Sequence, residues 1–365
     1  MALLLASIFL LALLLTADAM PWVIRLARWR GLLDFPGPRK IHTEPIPYGG
    51  GLAVALGVLG TIGAGVLGAW LHGRYGWFER FQISLHAAGV LSKLPTLAVY
   101  AAGSLVVLFL GLADDRWKLR PSTKLAAQFV VAAGTVLGGG RLSLFWEGSL
   151  AGDLAGGAVT VLWIVGVTNA FNLLDHMDGL CGGTVLVTAL GFGAIAVQTG
   201  QLFLAVSLAA VAGSSFGFLF FNFPPARVFL GDAGSLFLGY WLSVLTVSFT
   251  FYTSDRPLYA YAVPLVVLAV PLLDTVRVVL IRLRRKRPIF EGDTNHIAHR
   301  LVALGLTRRS AVMTVWALTL VTALAAALLY QVNAAGAGII LSQLALVFVI
   351  ITLLEVAGRS HGQAE

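Results

Sequence analysis

The sequence predicts an all-α protein that crosses a membrane many times. Of its 365 residues, 58% are hydrophobic and 12% are charged, and the mean hydropathy is +0.88. Soluble globular domains carry roughly 25% charged residues. Ten or eleven apolar runs have the length that a helix needs to cross a hydrocarbon core of about 30 Å. Because no polar stretch is long enough for a second domain, one membrane domain is predicted over residues 1–365.

The predicted spans follow one another with short polar breaks. The first is expected to be an uncleaved helix, because signal peptides begin with basic residues and none precedes Arg25. The fourth is short, and only three residues separate the sixth from the seventh. A single cysteine, Cys181, excludes an internal disulfide framework. The spans lie near residues 2–18, 49–70, 95–113, 123–139, 155–174, 181–198, 201–221, 233–252, 258–281, 312–330 and 334–356.

The basic residues predict the orientation in the membrane. Most of the 25 Lys and Arg lie in loops on the same side as the loop after the first span. Cytoplasmic loops carry this excess in membrane proteins. We therefore predict a multi-pass protein of the inner or plasma membrane with its N-terminus outside. The net charge of +8 then reflects topology, and nucleic acid is not expected as a partner.

The unusual polar residues all fall on the predicted cytoplasmic side. They form five clusters, at residues 39–51, 114–124, 169–180, 221–235 and 291–301. The loops on the opposite side are plain, short or rich in glycine. The cytoplasmic face is therefore predicted to carry the chemistry.

Two adjacent carboxylates, Asp114 and Asp115, end the third predicted span. Such a pair repels itself unless a cation holds it, and Mg²⁺ prefers oxygen ligands. Lys118 and Lys124 follow within ten residues and suit phosphate oxygens. The alternative is a solvated helix end whose basic residues only anchor the topology.

The stretch "NAFNLLDHMDGL" closes the fifth predicted span. Asn172, Asp175 and Asp178 recur every three residues, which places them on one face of a helix. Their oxygens could serve a metal or a sugar hydroxyl, whereas a turn using local hydrogen bonds is the alternative. Polar residues at the end of an apolar span favour the functional interpretation.

The remaining clusters give weaker signals. Asp232 lies between glycines at the start of a span, where a carboxylate is also a good helix cap. Asn222 precedes a pair of prolines that predicts a non-helical approach to Asp232. His296, His299 and Arg300 are the residue types that a diphosphate requires, but they lack the third ligand of a zinc site.

Asp274 lies inside the ninth predicted span, with Arg277 one turn later. A buried salt bridge between them is the expected arrangement. Asp274 is also the residue that best suits a transporter, because transporters hold ionisable groups near the middle of the bilayer. The gathering of the other polar residues at one surface argues against that function.

The five clusters, in this order, resemble the polyprenyl-phosphate sugar-1-phosphate transferases. The matching segments are "RKIHTEPIPYGGGLA", "GLADDRWKLRPSTKLAAQ", "NAFNLLDHMDGL", "VFLGDAGSLFLG" and "PIFEGDTNHIAHRL", between residues 39 and 301. The resemblance implies that a polyprenyl phosphate attacks the β-phosphate of a UDP-sugar, giving polyprenyl-diphosphate-sugar and UMP. It implies Mg²⁺, with Mn²⁺ as the alternative, and a place at the first membrane step of cell-envelope glycan synthesis. A homodimer is compatible with it.

The resemblance also implies roles for individual residues. A sugar of the N-acetylglucosamine type is favoured, because the muramoyl-pentapeptide branch carries three consecutive histidines that are absent here. Whether an aspartate is phosphorylated or only deprotonates the acceptor stays open. The implied catalytic residues are Asp114, Asp115, Asp175 and Lys124; the metal ligands are Asp232 and Asp175; the implied substrate-binding residues are Asn172, His296 and His299. The residue types within the same clusters add Lys118, Asp178, Asn222 and Arg300 to the predicted substrate-binding residues.

This chain departs from the family pattern at His176, Tyr48 and Ala298. In the family, a glycine or asparagine is common at the first of these positions, a basic residue at the second and a histidine at the third.

A second enzyme class, the CDP-alcohol phosphatidyltransferases, also sets aspartates at the cytosolic membrane surface. It packs them into one short segment, whereas here they are dispersed over three loops.

Overall fold

The computed structural model describes residues 1–36, 43–76, 84–142, 149–251, 258–288 and 295–361. The described chain is predominantly α-helical, which confirms the predicted fold class. It forms two compact units, Met1–Phe249 and Thr250–Glu365. A single functional domain over the whole chain stays a prediction.

The first unit contains nine helices and one small sheet in its described part. β1 and β2 are antiparallel, with Leu33 opposite Pro47. The elements are α1 (Ala2–Arg30), β1 (Leu33–Asp34), β2 (Ile46–Pro47), α2 (Gly50–Tyr75), α3 (Ser84–Ser92), α4 (Leu94–Trp117), α5 (Pro121–Leu137), α6 (Leu150–Leu174), α7 (Leu180–Gln198), α8 (Leu202–Asn222) and α9 (Gly231–Val247).

The second unit is built around α13, against which α10, α11 and α12 pack. Its tyrosine Tyr259 donates a hydrogen bond to the Val332 carbonyl. The described elements are a 3-10 turn (Leu258–Ala262), α10 (Val263–Val267), α11 (Ala269–Arg284), α12 (Ile297–Ala303), α13 (Arg308–Leu328) and α14 (Ala334–His361).

The predicted count of ten or eleven spans is not confirmed. Within the described ranges, eight helices are long and apolar enough to cross a membrane: α1, α2, α4, α6, α7, α8, α13 and α14. The segments Leu258–Val267 and Ala269–Arg284, bent by 71°, make a ninth if they count as one span. The remaining predicted spans correspond to α5 and α9, which have 17 residues each and lie at the short limit for a span.

Small residues bring α1, α2 and α8 into close contact. A Cβ on Gly213 would lie 2.1 Å from the Phe9 carbonyl oxygen. Ser214 shares a 2.7 Å hydrogen bond with Thr16 and donates a 2.8 Å bond to the Val54 carbonyl. Helices in lipid associate through such packing and polar contacts, because burying apolar surface gives no advantage there.

Helix α9 is buried along almost its whole length among α2, α4, α6, α7 and α8. Hydrogen bonds between side chains attach it to its neighbours. Tyr240 bonds Thr135 on α5 at 2.8 Å, and the Trp163 indole on α6 donates to Thr246 at 2.8 Å. These contacts fix the position of α9 relative to the helices around it.

The N-terminus of α9 is approached by two other helices at glycines. A Cβ on Gly111 of α4 would lie 2.3 Å from the Ala233 nitrogen, and one on Gly51 of α2 would lie 2.3 Å from the Gly234 nitrogen. Real Cβ atoms do not come this near to backbone atoms. The two glycines therefore allow α2 and α4 to lie directly against the start of α9.

We expect the substitution Gly111→Ala to lower the free energy of unfolding by about 1–3 kcal/mol, because the added methyl group forces α4 and α9 apart. The matched control is Gly63→Ala in α2, where a Cβ would meet no atom within 4 Å. There the better helix propensity of alanine favours the folded state by up to about 1 kcal/mol. Thermal unfolding in detergent measures both, and equal melting temperatures for the two variants would contradict this packing.

Candidate active site

Polar residues from α4, α5, α6 and α9 meet at one end of the first unit. They belong to the predicted clusters at residues 114–124, 169–180 and 221–235. The C-terminal ends of α4 and α6 lie beside the N-terminal ends of α5 and α9. The sequence clusters are thus brought together in space, as expected for a single site.

Asp115 caps the N-terminus of α9 from a different helix. Its carboxylate accepts the backbone N–H groups of Asp232 at 2.9 Å and Ala233 at 3.3 Å. The first N–H groups of a helix have no partner within the helix, and the helix dipole favours an anion there. Gly231 has φ +73°, and a Cβ on it would lie 2.5 Å from the Asp115 carboxylate. Glycine is therefore required just where the two helices meet.

Lys124 joins two carboxylates that are distant in sequence. Its ammonium donates to Asp114 Oδ2 at 2.8 Å and to Asp232 Oδ2 at 2.7 Å. The other Asp114 oxygen accepts the Leu119 N–H at 2.7 Å, which closes the turn after α4. This turn carries Lys118 in the left-handed region at φ 52°. The lysine on the first turn of α5 is thereby held between α4 and α9.

Asn172, on the last turn of α6, completes the contacts of Asp232. Its amide donates to Asp232 Oδ1 at 3.0 Å and to Ser235 Oγ at 2.9 Å. Ser235 in turn donates to the Gly231 carbonyl at 3.0 Å. The two oxygens of Asp232 therefore accept hydrogen bonds from Asn172 and Lys124, and these bonds fix the orientation of its carboxylate.

Asp175 directly follows α6 and is half-buried. Burial raises its pKa well above the ordinary value, and the negative charges of Asp232 and Asp115 raise it further. A backbone hydrogen bond from Gly231 acts in the opposite direction. The raised pKa means that its surroundings favour the neutral acid, first because burial removes water and second because negative charges lie nearby.

The cluster of Asp114, Asp115, Asp175 and Asp232 has the donor set of a divalent-cation site. Among the described ion pairs, Lys124 is the cation of this cluster, and it pairs with two of the four carboxylates, Asp114 and Asp232. If all four are ionised, three negative charges stay unbalanced. Carboxylate oxygens are the ligands that Mg²⁺ and Mn²⁺ prefer, and a bound cation would relieve the repulsion that raises the pKa of Asp175.

The expectation of one helical face for Asn172, Asp175 and Asp178 is wrong. Helix α6 ends at Leu174, so Asp175 follows it and Asp178 lies in the turn before α7. The polar residues with Gly179, at φ +75°, favour a turn instead of a further helical turn. The Asp178 carboxylate accepts the Ala226 N–H at 3.0 Å. This contact ties the turn to the segment that leads into α9.

Asn222, like Asp178, links the turn before α7 to the segment that leads into α9. Its side-chain oxygen accepts the Gly179 N–H at 2.8 Å, and its amide donates to the Val228 carbonyl at 2.9 Å. Its side chain is buried. Asn222 and Asp178 hold the same two segments together, and direct contact with a substrate stays a prediction for both.

The described part of the first cluster, residues 43–51, pairs with the segment before Asp232. Phe229 donates to the Pro47 carbonyl at 2.9 Å, and the N–H groups of Gly50 and Gly51 donate to the carbonyls of Phe229 and Leu230 at 3.0 and 3.1 Å. Backbone hydrogen bonds thus fix this loop beside the start of α9. Its residues 39–42 lie outside the described residues.

Tyr48 occupies the place where the family pattern commonly has a basic residue. The Lys118 ammonium lies 5.7 Å from the centre of its ring, and its hydroxyl donates to Asp34 Oδ1 at 2.7 Å. Burial raises the pKa of this hydroxyl, and the bond to Asp34 raises it further, so the phenol stays protonated. Lys118 therefore supplies positive charge beside the ring, from the neighbouring turn.

His296, His299 and Arg300 lie in the second unit, at and within α12. His296 Nδ1 lies 2.7 Å from Asp274 Oδ2, and the Ile297 N–H donates to Asp274 Oδ1 at 2.7 Å. Arg300 approaches the same carboxylate at 3.9 Å. His296 and Arg300 are buried, and His299 is half-buried. Their predicted contact with a substrate stays a prediction.

The expected salt bridge between Asp274 and Arg277 is wrong. Asp274 pairs with His296 and caps the N-terminus of α12. The Arg277 guanidinium donates to Thr352 on α14 at 3.4 Å instead. The prediction used only the spacing of residues within α11. That spacing cannot predict that Asp274 caps a later helix and pairs with His296 there, which explains the error.

Sequence reasoning missed Ser235 and Asp34. Ser235 lies three residues after Asp232, on the same side of α9, and this spacing could have indicated it. Asp34 gives no such signal, because its bond to Tyr48 depends on the pairing of β1 with β2. His176 lies in the turn between α6 and α7.

Comparison with known proteins identifies the family of the chain. The model of glycosyl transferase family 4 matches residues 97–250, which contain Asp114, Lys124, Asn172 and Asp232. A Bacillus subtilis protein described as a probable undecaprenyl-phosphate N-acetylglucosaminyl 1-phosphate transferase is 34% identical over 359 residues. The match covers 97% of this chain and 91% of that protein.

Two further relatives have similar descriptions. The decaprenyl-phosphate N-acetylglucosaminephosphotransferase of Mycobacterium tuberculosis H37Rv is 30% identical, over 86% of this chain and 79% of its own length. The undecaprenyl-phosphate alpha-N-acetylglucosaminyl 1-phosphate transferase of Escherichia coli K12 is 29% identical, and the match covers 79% of this chain and 73% of that protein. Because the similarity extends over nearly the whole chain and includes the clustered polar residues, the chain belongs to glycosyl transferase family 4.

Proposed function

We propose that this protein transfers N-acetylglucosamine 1-phosphate, or a closely related sugar phosphate, from a UDP-sugar to a polyprenyl phosphate. The observation that carries the proposal is the arrangement of Asp114, Lys124 and Asp232, in which one lysine bridges two carboxylates at the end of a membrane helix. The descriptions of the relatives support both substrates. The multi-pass helical structure suits a lipid acceptor that lies in the bilayer.

In the proposed reaction, an oxygen of the lipid phosphate attacks the β-phosphorus of the UDP-sugar. A new bond forms between that oxygen and the β-phosphorus, and the bond from the β-phosphorus to the bridging oxygen breaks. UMP leaves with the bridging oxygen. Phosphoryl transfer of this kind depends mainly on positioning and on neutralising charge.

The residues of the site have matching roles. Lys124 supplies a positive charge that can move from its carboxylate partners toward a phosphate oxygen. Asp232, oriented by Asn172, and Asp175 would hold Mg²⁺ or Mn²⁺. When bound, such a cation neutralises phosphate charge and orients the two substrates. Lys118 beside Tyr48 offers a second basic group, and His296, His299 and Arg300 are proposed to contact the sugar nucleotide.

The contacts of the carboxylates favour direct displacement over a phosphorylated aspartate. All six oxygens of Asp114, Asp115 and Asp232 accept hydrogen bonds from backbone N–H groups, Lys124 or Asn172. Attack on phosphorus by one of these oxygens would have to displace a hydrogen-bond donor, so these contacts disfavour the three carboxylates as nucleophiles. The lipid phosphate is then the nucleophile itself.

The site is proposed to face the cytoplasm in the inner or plasma membrane, with the N-terminus outside. The bias of Lys and Arg supports this orientation. UDP-sugars are cytoplasmic metabolites, so the donor would reach the site from that side. The transfer would then begin the assembly of a lipid-linked envelope glycan.

The decisive test is the release of UMP. Purified protein with Mg²⁺, undecaprenyl phosphate and UDP-N-acetylglucosamine should release UMP and form a lipid-linked sugar diphosphate. Chelation of the cation with EDTA should stop the reaction, and added Mg²⁺ should restore it, because the carboxylate cluster needs a cation. Absence of UMP release across a panel of UDP-sugars would refute the proposed function.

We expect Asp232→Asn to lower kcat by about 100-fold or more, since the neutral side chain is a weaker cation ligand. The amide keeps nearly the shape of the carboxylate, so the fold should persist. The control is Asp153→Asn, because Asp153 forms a half-exposed pair with Arg141 at the opposite end of α6 and should not affect turnover. Turnover of the Asp232 variant within twofold of the unmodified protein would contradict the assignment.

Isotope exchange distinguishes direct displacement from a phosphorylated aspartate. With direct displacement, labelled UMP should enter UDP-N-acetylglucosamine only when the lipid acceptor or product is present. An aspartyl intermediate would release UMP and allow the exchange without lipid. Exchange in delipidated protein at a rate near kcat would therefore overturn the direct mechanism while leaving the overall reaction intact.

A further inference from the structure

A cavity of about 390 Å³ lies beside the end of α1, between this helix, the β2 segment and the turn that follows α8. None of the residues assigned above to phosphoryl transfer lines it. Its volume is within the range of small-molecule sites. It is therefore a separate candidate binding site.

One wall is a stripe along α1. Pro21, Ile24, Arg25 and Arg28 are spaced so that they share one face of the helix. Both arginines are exposed, and the Arg25 guanidinium stacks on Trp22 at 5.1 Å. The wall thus combines an apolar part with two cationic groups.

The opposite wall presents Arg227. The Arg227 N–H donates to the Phe221 carbonyl at 2.8 Å, and its guanidinium donates to the Phe220 carbonyl at 2.9 Å. The guanidinium also lies 5.3 Å from the centre of the Phe221 ring. These contacts hold Arg227 at the cavity and leave several of its five donors for a ligand.

The lining favours an anion with an apolar part. It contains the arginines Arg25, Arg28 and Arg227 against one carboxylate, Glu44. Arginine matches phosphate oxygens in geometry and loses little solvation on binding them. Ile46, Pro45 and other apolar residues complete the lining. A purely soluble anion would leave this apolar surface unused.

The neighbourhood of the cavity has the character of a membrane interface. Trp22 and Trp29 on α1 are 69% and 75% exposed, and Leu26 between them is also exposed. Tryptophans are enriched at the level of the lipid headgroups, and basic residues there attract anionic lipids. A ligand at this depth would most readily come from the bilayer itself.

We propose that the cavity binds the phosphate headgroup of a lipid, either an anionic phospholipid or a polyprenyl phosphate, at a site distinct from the carboxylate cluster. The arginines contact the phosphate, and the apolar face of α1 contacts the start of the acyl or prenyl chain. The site goes beyond the proposed transfer reaction, because it requires none of the residues that carry it.

Native mass spectrometry of the full chain in detergent tests this proposal. Phosphatidylglycerol is titrated beside phosphatidylcholine with the same chains, and undecaprenyl phosphate forms a third arm. We expect one tightly held phosphatidylglycerol or undecaprenyl phosphate, and the arm with the stronger binding identifies the source. The double variant Arg25→Gln with Arg28→Gln should weaken that binding about tenfold or more.

Two controls keep the test specific. Arg30→Gln removes a charge from the same helix outside the cavity, where Arg30 stacks on Trp29, and should leave the affinity unchanged. Arg227→Gln should weaken binding from the opposite wall. Unchanged affinity in the double variant, equal binding of phosphatidylcholine, or displacement by inorganic phosphate at the same concentration as lipid would each overturn the proposal. Binding is measured without turnover, so its failure is independent of UMP release.

Discussion

The hydrogen bonds between Asp115 and the first N–H groups of α9 connect the fold of this protein to its chemistry. They satisfy the first backbone N–H groups of a helix that is buried along almost its whole length, where unpaired backbone groups are costly. They also fix the last turn of α4 against Asp232, at the position where Gly111 permits direct backbone contact. The same contact that stabilises the bundle therefore sets the distance between the carboxylates of the site.

This arrangement concentrates negative charge, and the number of carboxylates gathered there bears on the role of the site. A structural cap needs one carboxylate, but Asp114, Asp175 and Asp232 lie in the same region with Lys124 between two of them. Gathering so many carboxylates costs stability unless a cation compensates for them. The proposed site for a divalent cation and phosphate would explain why the protein tolerates that cost, whereas a purely structural role for the four acids would not.

The sequence predicted the helical class, the places of most long helices and the polar clusters that the structure brings together, but it did not predict α3 or α12 or the full length of α1. Apolar runs and polar clusters are local signals, and the order of the clusters indicated the family. The errors concern partners that are distant in the chain. Asp178 bonds a turn residue 48 positions later, and Asp274 pairs with α12 instead of Arg277. Residue spacing within one helix contains no information about such contacts, since they depend on how helices and turns pack.

The loop containing Tyr48 shows how the two proposed sites are mechanically related. The backbone of Pro47 accepts a hydrogen bond from Phe229, while Pro47 itself lines the arginine cavity. Three residues after Phe229 comes Asp232, whose carboxylate lies between Lys124 and Asn172. A lipid headgroup that orders the cavity wall would therefore also restrain the segment that positions Asp232. Such coupling requires no movement of helices, because the two sites are joined by the hydrogen bond from Phe229 to Pro47 and by the short backbone segment from Phe229 to Asp232.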